Sequence, residues 1–127
     1  AASMAIPGLL RPVEHGGRVL VDGAAVDPLP FTQLAGRADV VVAVDCSSGP
    51  RPPAAVPEAW DSVFATLGLM GHTIVTEKLA RVRPDLLIRP NVEVFRLLDF
   101  LQAIAVIRAG EAIKDDIKRD LAALLEG

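Results

Sequence analysis

The sequence predicts an α/β fold, and three observations carry that expectation. Val40 to Val44 is a short, continuous apolar run, the pattern of a parallel strand buried on both faces of a helix-covered sheet. From Pro57 onward the apolar residues recur at steps of three and four, which is the period of a helix. Leu86-Leu87-Ile88, between Pro84 and Pro90, reads as a second short strand whose flanking prolines favour an edge position.

The remaining elements follow in chain order. Val13-Glu14-His15-Gly16-Gly17-Arg18-Val19 sets alternating residues on both sides of a Gly-Gly pair. This predicts a β-hairpin, because a tight primed turn needs positive φ at its centre. Pro28 and Pro30 exclude a central strand; Pro30 can open a short helix through about Leu34, with Gly36 placed to end it. Ser47 to Pro57, with Gly49, Pro50, Pro52 and Pro53, reads as a surface loop.

The long helix that follows carries Trp60, Val63, Phe64, Leu67, Met70, Ile74 and Leu79 as its apolar stripe. Glu58 falls in its first turn, Lys78, Arg81 and Arg83 near its end, and Pro84 stops it. Gly68 and Gly71 each cost about 1 kcal/mol relative to Ala in a helix interior, which points to close packing against another element. A last helical region covers roughly Leu97 to Leu125, interrupted near Gly110. Ile113, Ile117, Leu121 and Leu124 form its apolar stripe, and Lys114, Asp115, Lys118 and Arg119 its solvated faces.

Composition narrows the function classes. A chain of 127 residues fits one compact domain or part of one. With 51% hydrophobic and 23% charged residues it is too apolar and too mixed for disorder. Aromatic residues make up only 4% and Tyr is absent, so the core is expected from Val, Ile, Leu and Ala. A net charge of -3, with Lys and Arg spread among acids, gives no electrostatic case for a nucleic-acid partner. Cys46 is the single cysteine, so no internal disulfide forms, and no Cys/His set has metal-ligand spacing. No apolar run approaches the roughly 20 residues of a membrane helix.

On local pattern alone, Val19-Leu20-Val21-Asp22-Gly23 followed by Ala24-Ala25-Val26 is a strand, an Asp-Gly turn and the start of another strand. Asp45 ends an apolar strand, where α/β sheets gather functional groups, although an acid there more often organises the next loop through Asx-type bonds. Cys46 has no neighbouring base or cation and reads as a buried or inert thiol. His15 and His72 have no partner at catalytic spacing. Ser3, Ser47, Ser48 and Ser62 lack the flanking glycines of a strained nucleophile elbow.

Taken together and in order, Ala2-Ser3-Met4-Ala5-Ile6-Pro7-Gly8, Val19-Leu20-Val21-Asp22-Gly23-Ala24, Leu29-Pro30 and Val40 to Asp45 resemble the second half of a patatin-like phospholipase domain. In that family an A-S-x-A-I-P-G segment precedes a strand ending in D-G-G or D-G-A, whose Asp is the base of a Ser-Asp dyad. The resemblance implies that residues 1–127 form the C-terminal part of a three-layer α/β/α domain. Asp22 is then the expected catalytic base, with Gly23 and Ala24 completing the motif. Gly23 would let the backbone turn sharply and leave room near the carboxylate. Ser3 either lines the site or plays a local structural role. Asp27-Pro28 departs from the Asn or Asp followed by Asn that the family often carries there.

The resemblance also implies a reaction. Asp22 would accept the proton of a serine hydroxyl attacking a lipid ester, then help activate water against the acyl-enzyme. A free aspartate titrates near about 3.9 and is a feeble base at neutral pH, so placement and oxyanion stabilisation must share the work. No metal or organic cofactor is expected. The family's Gly-rich oxyanion loop and G-x-S-x-G nucleophile motif have no counterpart in these 127 residues. His15-Gly16-Gly17 resembles the HGGG segment of lipases only superficially, since it sits inside a hairpin. The expectation is therefore half of an enzyme, silent alone and beginning at a truncation or cleavage point. Its partners would be a lipid ester and the N-terminal half of the domain or a second copy. The expected location is cytoplasmic, with peripheral membrane contact. The alternative is a non-catalytic α/β binding or scaffold domain in which Asp22-Gly23 is only a turn. A nucleotide-binding domain ranks lower, for want of a phosphate-cradling Gly-rich loop.

Overall fold

The computed structural model describes residues 2–47, 49, 56, 58–92, 95 and 100–126. The chain is α/β. A short 3-10 turn at Ala2–Met4 leads into Ile6-Pro7-Gly8-Leu9, where the Leu9 N–H donates to the Ile6 carbonyl at 3.1 Å. Gly8 has φ 85°, so this is a type II turn, with Pro preset for its first central position and Gly supplying the positive φ at its second. Strands β1 (Val13–His15) and β2 (Arg18–Leu20) form the predicted hairpin, with Val13 opposite Leu20 and His15 opposite Arg18. Gly16 and Gly17 at φ 58° and 71° make the primed turn that the sequence called for.

Pro30 stands immediately before a 3-10 turn at Phe31–Leu34, and the Arg37 N–H closes onto the Leu34 carbonyl across Gly36 at φ 69°. Strand β3 (Val42–Val44) pairs in parallel with β4 (Leu86–Ile88), Val42 beside Leu86 and Val44 beside Ile88. Between them runs helix α1 (Ala59–Arg81), which is the crossover that a parallel pair requires. The expected surface loop from Ser47 to Pro57 lies largely outside the described residues. A 3-10 turn at Phe100–Gln102 precedes α2 (Ala103–Glu111), and α3 (Lys114–Glu126) packs against β4. The break between α2 and α3 falls where Gly110 predicted an interruption. Ile113, Ile117, Leu121 and Leu124 are the half-buried positions, as their spacing indicated.

The core is built from Leu29, Phe31, Ala43, Val75 and Leu79, with Val41 and Leu87 packed against it. Two expectations need correction. Val40 to Val44 is not buried on both faces: Ala43 is 4% exposed, but Val42 and Val44 are 37% and 51% exposed. Side chains alternate along a strand, and α1 covers only the Ala43 face. The stripe of α1 is also different. Its inward line is Phe64, Leu67, Gly71, Val75 and Leu79, whereas Trp60, Val63 and Met70 are exposed. A helix of 23 residues is about 35 Å long, while three-residue strands span about 10 Å, so its early turns overrun the sheet.

Candidate active site

Asp22 lies just past β2, at the head of a 3-10 turn over Gly23–Ala25. Its backbone N–H donates to the Ala5 carbonyl at 3.0 Å, which ties the Ala5-Ile6-Pro7-Gly8 segment to the Asp-Gly-Ala segment. Ala5 itself is 3% exposed, so this anchor is buried. The Asp22 carboxylate is half-buried, and its Oδ1 accepts from the Ala24 N–H at 2.9 Å. Asx geometry of this kind holds a carboxylate in one orientation while leaving it further acceptor capacity.

The local pattern had suggested a second strand after Asp22-Gly23. Instead the Asp22 side chain captures the Ala24 N–H and the backbone coils, with the Val26 and Asp27 N–H groups both donating to the Gly23 carbonyl at 3.1 and 2.9 Å. Gly23 does not have positive φ, and a Cβ built on it meets open space. Neither the sharp backbone turn nor the room expected of Gly23 is therefore required by its described surroundings. Ala24 is exposed.

Helix α1 packs against this turn. Its Lys78 Nζ forms an ion pair with Asp27 Oδ1, donates to the Leu29 carbonyl at 3.2 Å and lies 5.6 Å from the centre of the Phe31 ring. At Gly71, about two turns earlier in the helix, a Cβ would lie 3.5 Å from Pro28 Cγ. Sequence reasoning placed Lys78 only as a helix-end cation. The Asp27-Pro28 departure was the signal, since it marks where this loop meets the helix.

A second polar cluster sits at the carboxyl ends of the parallel strands. Asp45 is 7% exposed and accepts from both the N–H and the hydroxyl of Ser47, and from Arg89 Nε at 3.1 Å. Burial pushes its pKa up, but the Ser47 hydroxyl, the Ser47 N–H and the Arg89 guanidinium outweigh it and hold the carboxyl below its ordinary 3.8. The Asx-type role anticipated for Asp45 is present. Arg89 was missed; with Val44 beside Ile88 in register, the next residues on the two strands are Asp45 and Arg89.

Ser3 is exposed on the Ala2–Met4 turn, His15 is exposed at the hairpin, and Cys46 is exposed instead of buried. Among the described residues no three His, Cys, Asp or Glu side chains gather as a metal-binding group, and no helix is long and apolar enough to cross a membrane.

The family comparison falls on the same segment. Residues 1–35 match the family described as patatin-like phospholipase, a stretch that includes Ala5, Asp22, Gly23 and Ala24. An uncharacterised NTE family protein of Mycobacterium tuberculosis is 46% identical over 54 residues, covering 42% of this chain and 15% of that protein. Residues 1–35 of this chain are thus similar to the patatin-like phospholipase family. Similarity to other relatives covers more of the sequence. Lysophospholipase NTE1 of Kluyveromyces lactis is 27% identical over 144 residues, covering 94% of this chain and 10% of that protein. Lysophospholipase NTE1 of Saccharomyces cerevisiae is 27% identical over 133 residues, 86% of this chain and 8% of that protein. The chain thus spans 15% or less of the length of these three relatives.

Proposed function

We propose that this chain supplies the catalytic base, Asp22, of a serine lipid acyl hydrolase acting on phospholipid, lysophospholipid or neutral-lipid esters. The observation that carries the proposal is the coincidence of the patatin-like match over residues 1–35 with a half-buried carboxylate fixed by Ala24 and hung from the buried Ala5. The lysophospholipase names of the two yeast relatives support the substrate class.

In this reading Asp22 takes the serine proton as the serine oxygen attacks the ester carbonyl. The C–O bond to the alcohol then breaks, the alcohol leaves with a proton, and an acyl-serine remains. Water attacks that acyl group while Asp22 takes its proton, which releases the fatty acid and restores the serine. No serine in these 127 residues stands in a glycine-flanked elbow, so the nucleophile and its oxyanion donors lie elsewhere in the working enzyme. The 127-residue chain alone is then silent. The rest of the hydrolase domain, or a second copy, covers the open Val42 and Val44 face, and the enzyme meets lipid peripherally from the cytoplasm.

The test is intact mass before and after a serine-reactive fluorophosphonate, on the 127-residue chain and on the intact encoded protein. The proposal expects an adduct on the intact protein alone. Robust esterase turnover by the purified 127-residue chain would sink the split-site part of the proposal, and an unreactive intact protein would sink the serine chemistry.

A further inference from the structure

We propose that Lys78 is a positioning residue for Asp22, acting through Asp27; the inference rests on the reading of Asp22 as the catalytic base. The connection is short and continuous. The Lys78 ammonium pairs with the Asp27 carboxylate, and the Asp27 N–H donates at 2.9 Å to the carbonyl of Gly23, the residue bonded to Asp22. The same ammonium donates to the Leu29 carbonyl at 3.2 Å, so it holds the loop on two successive sides of Pro28. Lys78 and Asp27 side chains are 20% and 28% exposed, which shields the pair from much of the solvent that weakens surface ion pairs.

The 3-10 turn after Asp22 needs such a clamp. It is three residues long, and residues 23–26 are all exposed, so the turn has little packing of its own. A base must sit within hydrogen-bond reach of the serine proton, and small displacements of a reacting group cost rate steeply. The rigid element nearby is α1, whose Val75 and Leu79 are buried on either side of Lys78 in the helix. Lys78 therefore transfers the fixed position of α1 to the Asp22 turn, and Gly71 of the same helix faces Pro28 of the clamped loop.

The experiment uses the intact protein and an ester substrate, with kcat expressed per active site titrated by fluorophosphonate, so that unfolded molecules drop out of the count. Lys78→Met keeps the apolar stem beside Phe31 and removes the ammonium. It is expected to lower kcat at least 10-fold, up to about 100-fold, with KM changed less than about twofold. Lys78→Arg should recover most of kcat, and Lys78→Met with Asp27→Asn should lose no more than the worse single variant, since both remove one interaction. Lys78→Met with unchanged kcat and a lower melting temperature would overturn the proposal and leave a plain structural pair. If Lys78→Met does not fold, Asp27→Asn alone decides, with the same two outcomes. Asp22→Asn run in parallel separates the claims: retained activity there removes the reading of the base itself, whereas a dead Asp22→Asn beside a fully active Lys78→Met removes only the positioning role.

Discussion

The backbone N–H of Asp22 donates to the carbonyl oxygen of Ala5 across 3.0 Å, joining two segments that are 17 residues apart in sequence (22 minus 5). The bond sets the Ala-Ile-Pro-Gly segment beside the Asp-Gly-Ala segment. The type II turn at Pro7-Gly8 and the Gly16-Gly17 hairpin return the chain so that the second motif meets the first.

A stability prediction follows from the cap on the next turn. Asp22→Ala removes the acceptor for the Ala24 N–H and should cost about 0.5–1 kcal/mol, whereas Asp22→Asn keeps an acceptor and should cost little. Urea unfolding of both variants in the intact protein checks this. Equal losses would mean that the cap contributes nothing.

Asp45 predicts a pH dependence. Its folded pKa lies below the unfolded value near 3.8, so its contribution is fully present above that value and is lost as pH falls through the folded pKa. Asp45→Asn should lower stability by about 1–3 kcal/mol at neutral pH, through the loss of charge-assisted bonds to Ser47 and Arg89. The gap in melting temperature between wild type and variant should narrow as pH drops below about 3.8. A gap that widens in acid would reverse the sign of the argument.

Val75 is 1% exposed and belongs to the core cluster with Leu29, Phe31, Ala43 and Leu79. Val75→Ala deletes two buried methyl groups and should cost about 2 kcal/mol by transfer and cavity together. The control is Val63→Ala at the 44% exposed position, expected within about 0.5 kcal/mol.

The two glycines of α1 separate propensity from packing. Gly68→Ala meets open space and should stabilise by about 1 kcal/mol. Gly71→Ala brings its Cβ to ordinary contact distance of Pro28, 3.5 Å, and should also be tolerated, while Gly71→Leu should push Pro28 away and lower stability. Thermal melts of the three variants order them; a stable Gly71→Leu would show that Pro28 yields freely.

What the sequence made legible was local. Gly16-Gly17 specified its own turn, Pro30 and Gly36 bracketed a short helical turn, and the three-and-four spacing located α1 and α3. Parallel pairing of β3 was legible too, because a short apolar run suits that setting. The misses required tertiary knowledge. Val75 was passed over since the apolar count stepped from Met70 to Ile74, and only the short sheet decides which part of α1 is covered. Lys78 meets Asp27 from 51 residues away, and Arg89 meets Asp45 from 44 away, distances over which only register and packing carry information. Asp22-Gly23 was misread locally as a hairpin turn because the side chain's competition for the Ala24 N–H, not the dipeptide itself, selects the coil. Ala5 and Asp22 could be set side by side only by the family resemblance of the whole segment.

The most direct test of the central claim is kcat/KM for ester hydrolysis by the intact protein, wild type against Asp22→Asn, with melting temperatures measured on the same samples. The account predicts a loss of about 10²- to 10⁴-fold, the usual contribution of a general base, at nearly unchanged melting temperature. Hydrolysis near the wild-type rate by a well-folded Asp22→Asn would contradict it and leave Asp22 as the cap of a surface turn.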